Sequence, residues 1–239
     1  MRVKRMLSLC LALLFLFCVQ TPIQAEPLKH RVFYHGSREE KVIALTFDDG
    51  PHPRYTTEIL AILEKYQVRA TFFVIGKNLE LYPTAARALL QSDNEIGNHT
   101  YSHPHMQYIS TENLMEEINK TEEIIASLGG KPTTLFRPPE GAKSASHLTV
   151  VSHLSYKTVL WSIDTKDWAH HSPSSICKTV LKNVKGGDIV LFHDYVNPPS
   201  YTITALEYLI PMLLQNGYRF VTVSELLGQC SSSGEESSS

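Results

Sequence analysis

Cysteine is scarce in this chain, neither sign of charge dominates, and no apolar run is long enough to cross a bilayer comfortably. Each shortage excludes something. Of four cysteines in 239 residues, Cys10 and Cys18 fall in the first 25 positions. That leaves Cys177 and Cys230, which allow one bridge but not a disulfide framework. The apolar stretch 6–19 falls short of the roughly 20 residues of a spanning helix. It follows Arg2, Lys4 and Arg5 and ends in a short polar exit over 21–25. This is the pattern of a secretory signal peptide cut after Ala25. It predicts a released or cell-wall-associated protein without stable membrane insertion, an uncleaved anchor being the alternative. The 22 Lys and Arg stand against 24 Asp and Glu. Cleavage would remove three basic residues and no acid, leaving 19 against 24 and a net charge of about −5, which argues against nucleic acid as a partner. There is no internal repeat, no long linker and no phosphate-cradling loop. The 214 residues after position 25 suffice for one domain.

What remains is an alternation. Short β-branched and aromatic runs over 42–47, 70–75, 95–97, 134–136, 158–163, 188–192 and 219–223 predict strands. Stretches over 56–66, 79–92, 111–128, 144–154, 173–184 and 202–216 predict helices. Ser110 and Ser172-Pro173 are start signals, and Gly129-Gly130 and Gly186-Gly187 are stops. Residues 26–41 read as a polar, irregular lead-in and the Ser-rich 229–239 as a disordered tail, so the domain is expected over 42–228. Strand–helix alternation implies an α/β fold with a mostly parallel sheet, and about seven such units imply a closed or nearly closed (β/α) barrel. The polar motifs follow the C-terminal ends of their strands, the face on which such barrels build active sites.

Thr46-Phe47-Asp48-Asp49-Gly50-Pro51 ends the first run with adjacent carboxylates on a sharp turn. At a buried strand end these repel each other and cost desolvation unless a cation is near. His99 and His103 stand four apart, so a helical turn or a compact loop can aim both at one ion. Alone they would be ordinary loop residues; beside the aspartates they read as ligands. Two imidazoles and one carboxylate leave coordination positions open, as in a catalytic zinc site. The other aspartate can then take a proton from a water that the metal has acidified to a pKa of about 7. Residue chemistry alone does not say which aspartate does which. Arg137 could pair with the free one and keep it ionised. His193, after the run 188–192, suits a general acid, and Asp167 is the acidic neighbour that would keep it protonated. Trp168 fits either core packing or a wall on which a sugar stacks.

Together these segments resemble the NodB-type polysaccharide deacetylases, carbohydrate esterase family 4, over about 42–227. Five motifs appear in order: TFDDGP, HTYSHP, RPPEG, DTKDW and LFHD. The resemblance implies the NodB-homology deacetylase fold, a distorted (β/α) barrel, with removal of N-acetyl and sometimes O-acetyl groups from glycans. The ligand set suits one divalent metal ion, zinc with cobalt or nickel as substitutes. Asp48 would be the base, Asp49, His99 and His103 the metal ligands, and Arg137 the partner of Asp48. His193 would be the acid and Asp167 its partner. Leu191 would line the acetyl-methyl pocket, and the backbone N–H of Glu140 would stabilise the oxyanion. Glu140 is a departure, since many members carry an aromatic residue there; the backbone donor survives, but the rim of the groove changes. The expected substrate is a polysaccharide of N-acetylated, GlcNAc-type sugars, peptidoglycan or chitin-like. The rivals are an esterase for O-acetylated xylan and a non-catalytic glycan-binding protein of the same fold. The latter would lack a ligand, base or acid, and none is lacking.

Overall fold

A computed structural model describes residues 31–232, with side chains to 228; the expected signal peptide and most of the expected tail lie outside this range. Strand β2 (Val42–Asp48) is buried along its whole length, as expected of an unbroken apolar run in the middle of a parallel sheet. It pairs in parallel with β3 (Thr71–Val74) on one side and β8 (Ile189–His193) on the other. The sheet continues from β3 through β4 (Glu95–Asn98), β5 (Leu135–Phe136) and β6 (Lys157–Val159), and from β8 to β7 (Ile163–Asp164). Only residues 160–162 separate β6 from β7. One stretch of chain therefore pairs with β5 at its start and β8 at its end, and this curls the sheet into a barrel. The predicted strand 158–163 is thus two short strands with a seam between them.

Two further strands complete the sheet. The lead-in is less irregular than expected: β1 (Val32–Phe33) pairs with β6, and His35 bridges to Asp188. β9 (Arg219–Phe220) pairs with the start of β2. Among the described residues the sheet has nine strands, against about seven expected.

Side chains alternate along β2. Ile43, Leu45 and Phe47 point outward into the large core shared with α1 (Tyr55–Lys65), α6 (Pro173–Asn183) and α7 (Thr202–Gln215). Val42 and Ala44 face the barrel interior with Phe73, Leu135, Val159 and Ile189. The same alternation carries Thr46 and Asp48 inward at the upper end, so the barrel is apolar below and charged above.

The interior is plugged from below by α8 (Val223–Ser232), whose Val223, Leu226 and Leu227 join that inner cluster. Sequence reading assigned Val223 to a strand and began the tail at Gln229; neither boundary holds. The chain turns into the helix because its first N–H groups find acceptors. Val223 N–H donates to Thr71 Oγ1 at 2.9 Å and Ser224 N–H to Glu95 Oε2 at 3.0 Å. Such caps satisfy donors that a helix start otherwise leaves unpaired.

The remaining helices sit close to expectation: α4 (Thr111–Ser127), capped by Ser110, and α5 (Ala145–His153), capped by Ser144. The predicted helix 79–92 is divided. Pro83 lacks an N–H and opens a new helix, so α2 (Gly76–Leu81) ends before α3 (Pro83–Leu90). Among the described residues no helix is long and apolar enough to cross a membrane.

Candidate active site

Strand register brings the motifs to one level. Asp48 on β2 lies directly opposite His193 on β8. Two strands away, Asn98 on β4 lies opposite Phe136 on β5, so His99 and Arg137 are the next residues out. The chain then leaves the sheet in strained conformations: Asp49, Thr100 and His103 have φ of 76°, 69° and 55°, a left-handed region that non-glycine residues seldom occupy. Side chains hold these turns. Asn78 Nδ2 donates to the Asp49 carbonyl at 2.7 Å, and Thr100 N–H donates to Asn98 Oδ1 at 2.9 Å. Gly50 is required by contact: a Cβ there would lie 2.0 Å from Asp194 Oδ2.

The geometry separates the two aspartates. Arg137, fully buried, donates from Nη1 to Asp48 Oδ1 at 2.6 Å and to Thr46 Oγ1 at 2.9 Å. Its other nitrogens bond the carbonyls of Val159 at 3.2 Å and Leu160 at 3.1 Å. Those carbonyls lie at the seam between β6 and β7. One guanidinium therefore closes the barrel wall and orients Asp48, while its plane rests 4.0 Å from the Phe73 ring centroid. Burial pulls the Arg137 pKa down and Asp48 opposes this; guanidinium stays charged in proteins.

Asp49 turns the other way. Its Oδ1 lies 3.5 Å from His99 Nε2 and 3.6 Å from His103 Nε2. One ligand atom from each of Asp49, His99 and His103 falls within 4.8 Å of the others. Two observations show that this trio suits a divalent ion. Asp49 Oδ1 is buried without a hydrogen-bond partner, a cost that a cation would remove. His99 Nδ1 is tied to the Arg137 carbonyl at 2.7 Å; donating there leaves Nε2 as a bare lone pair facing the cluster, the orientation metal-binding histidines adopt. Charge points the same way, since Asp48 and Asp49 are matched by a single guanidinium. Burial opposes both ionised groups, yet the Asp49 pKa is held down by His99, and the His99 pKa is held up by Asp48 and Asp49. His103, burdened by burial and by the neighbouring His99, is shifted down toward the neutral form that ligates.

Across the site, His193 Nδ1 bonds Asp167 Oδ1 at 2.8 Å. The other oxygen of Asp167 accepts from His193 N–H at 2.8 Å and Thr202 Oγ1 at 2.7 Å. Burial works against a charged imidazole, but the Asp167 bond and charge, helped by Asp48 and Asp49, raise the His193 pKa to about 9. His193 is therefore cationic at neutral pH, with Nε2 as the donor left free by Asp167.

Leu191 is buried on β8. Trp168, on a short 3-10 turn with Asp167, is 53% exposed and is not a core residue. Glu140 has φ 59°, and its side chain accepts at 2.8 Å from His105 Nδ1.

Sequence reading missed several supports. The chief one is Glu117 on α4, whose carboxylate accepts from Tyr101 N–H at 2.9 Å, Ser102 N–H at 2.7 Å and Ser102 Oγ at 2.8 Å. It grips the loop between the two histidines from outside. Thr202 steadies Asp167. Asp194, fully buried beside Gly50 with Thr56 Oγ1 at 2.6 Å, wedges the aspartate turn. A Glu on a helix surface or a Thr at a helix start carries no local mark of such roles; only Asp194, next to His193, was within reach of the motif.

Comparison with known proteins bears on the family. A family model described as polysaccharide deacetylase matches residues 35–159. A Bacillus cereus peptidoglycan-N-acetylglucosamine deacetylase is 44% identical over 198 residues, 82% of this chain and 92% of that protein. A solved peptidoglycan N-acetylglucosamine deacetylase superposes with a TM-score of 0.80 at 34% identity, over 82% of this chain and 92% of its own. A family 4 carbohydrate esterase pseudoenzyme from Bacillus anthracis gives 0.78 at 30% identity, over 83% and 69%. The pseudoenzyme shows that this fold does not by itself carry an activity. With just over half its length matched by the family model and the charged cluster assembled, the chain belongs to the polysaccharide deacetylase family.

Proposed function

We propose that this protein is a secreted, metal-dependent hydrolase that removes N-acetyl groups from GlcNAc-type sugars of a polysaccharide, with peptidoglycan the foremost substrate. One observation carries the reading: a single turn hands Asp48 to Arg137 and Asp49 to His99 and His103, while His193, charged through Asp167, faces Asp48 across the same rung. The relatives named as peptidoglycan deacetylases support the choice of glycan, and the basic-then-apolar start of the chain supports secretion.

A divalent ion held by Asp49, His99 and His103, most suitably zinc, would polarise the acetyl carbonyl and acidify a water. Asp48, held by Arg137, accepts the proton of the attacking water, whose oxygen bonds to the acetyl carbon. The backbone N–H of Glu140 donates to the oxyanion that develops. His193 gives its proton to the amide nitrogen, the carbon–nitrogen bond breaks, and acetate departs from a free amino sugar. Leu191 lines the methyl pocket, and Trp168 offers a face to the sugar.

The test is acetate release from N-acetylated chitooligosaccharides and from peptidoglycan, with and without chelator and added zinc. Release abolished by chelator and restored by zinc is the expected result. No release from either substrate by folded, metal-loaded protein would refute the reading, and release from acetylated xylan alone would replace it with an O-acetyl esterase.

A further inference from the structure

A cavity of about 670 Å³ opens beside the candidate metal ligands, lined by Tyr101, Ser102, Pro104, His105, Tyr108 and Lys120 among others. Its size falls in the range of about 300–1,000 Å³ typical of small-ligand sites. Ser102 and Pro104 flank His103 directly and His105 follows, so the groove starts where the reactive site ends. Its wall is tied to that site a second time, because His105 bonds Glu140, whose backbone is the proposed oxyanion donor.

Tyr108 is the unusual feature. It is 81% exposed, and the His105 ring stands nearly perpendicular to it at 6.5 Å between centroids. Its exposure is not looseness of the loop. Two residues earlier Met106 is buried with Leu114, Ile118, Phe136 and Val151. The Ile109 carbonyl is bonded to His147 Nε2 at 3.2 Å, and Tyr108 N–H donates to the His105 carbonyl at 3.0 Å. A pinned loop thus presents a large aromatic face outward. Lys120, Asn113, Glu116 and Ser102 line the same cavity, donors and acceptors for hydroxyl groups. An aromatic face in a cavity with hydrogen-bonding side chains is the chemistry that recognises a sugar ring, apolar on its face and polar at its edge.

Resting on the deacetylase reading, we propose that this groove is a further glycan subsite, in which Tyr108 stacks on a sugar of the same strand a short way along from the one being deacetylated. Binding energy gained there acts on polymer but not on the shortest oligomers.

The experiment compares wild type, Tyr108→Ala and Tyr108→Trp, all zinc-loaded full chain, on N-acetylated chitooligosaccharides from dimer to hexamer. Tyr108→Ala is expected to raise KM for the hexamer about three- to tenfold, with kcat and the melting temperature unchanged and the dimer unaffected; Tyr108→Trp retains hexamer affinity. An equal effect at all lengths, or none at any, overturns the subsite. If wild type releases no acetate at all, the deacetylase reading fails by itself. The oligomers are then not consumed, and calorimetric titration of wild type and Tyr108→Ala decides the subsite directly. Weaker hexamer binding by the variant supports it, and equal affinity or none overturns it.

Discussion

Asp167→Asn should strip His193 of its proton at neutral pH. In the native site burial favours the neutral imidazole, and it is chiefly the bonded Asp167 carboxylate that reverses this and lifts the pKa from 6.5 to about 9. Asparagine removes the charge and keeps the burial, so the pKa should fall to 6.5 or below. The change of at least 2.5 units corresponds to about 3 kcal/mol. At a pH of about 7.5, wild-type His193 is almost wholly protonated and the variant about one-tenth so. An ion on Asp49 cancels that carboxylate's share, which lowers both limbs without altering their order. The assay is kcat/KM for acetate release against pH. The variant's alkaline limb should move to lower pH by about 2.5 units or more, with at least a tenfold loss near pH 7.5 that narrows as pH falls. The stability sign follows from the raised pKa: His193 stabilises the fold below pH 6.5 and ceases to do so as pH rises through about 9. The variant should therefore lose more stability at pH 6 than at pH 10. Alkaline limbs that coincide in the two proteins would falsify the acid role of His193.

Three more outcomes follow from particular contacts. Glu117→Ala releases three hydrogen bonds from the loop between His99 and His103 and should weaken zinc binding about 10- to 100-fold in a chelator competition; an affinity within twofold of wild type would remove Glu117 from the site. Arg137→Met leaves Asp48 buried and unpaired and two seam carbonyls without a donor. It should cost about 3–5 kcal/mol in urea unfolding, and a loss under about 1 kcal/mol would contradict the account of the seam. Asp194 is pushed from 3.8 up to about 7 by burial, so the folded state holds its proton more firmly and stability falls as pH rises between those values. Asp194→Asn should flatten that fall, raising the melting temperature relative to wild type at pH 8 but not at pH 4; parallel curves for the two proteins would exclude it.

Much of the fold was legible because its signals are local. The run 42–47 reads as a buried strand wherever it sits, and Ser110 and Ser172-Pro173 open helices through their own side-chain chemistry. The errors arose where distant partners decide. Val223 looks like the end of a strand, yet it begins a helix because Thr71 and Glu95 accept its first N–H groups. Val32–Phe33 has little pattern of its own and becomes a strand because β6 offers an edge. Pro83 was a legible break within a predicted helix, and apolar periodicity across it masked the division.

The site divides along the same line. The sequence by itself determined which chemistry was available: two adjacent carboxylates on a turn, two imidazoles four apart, one arginine and one late histidine, each at a strand end. It left the adjacent aspartates equivalent, because residue type and spacing are the same for both. The family resemblance assigned them different roles, but the physical reason for the difference lies in the tertiary structure. Successive side chains on a strand point to opposite faces, so Asp48 faces the barrel interior, where Arg137, 89 residues away in the chain, bonds it. The left-handed turn at Asp49 swings the next carboxylate toward His99 and His103. Those partners are fixed by strand register, which the global packing of the sheet sets and no local stretch of chain records.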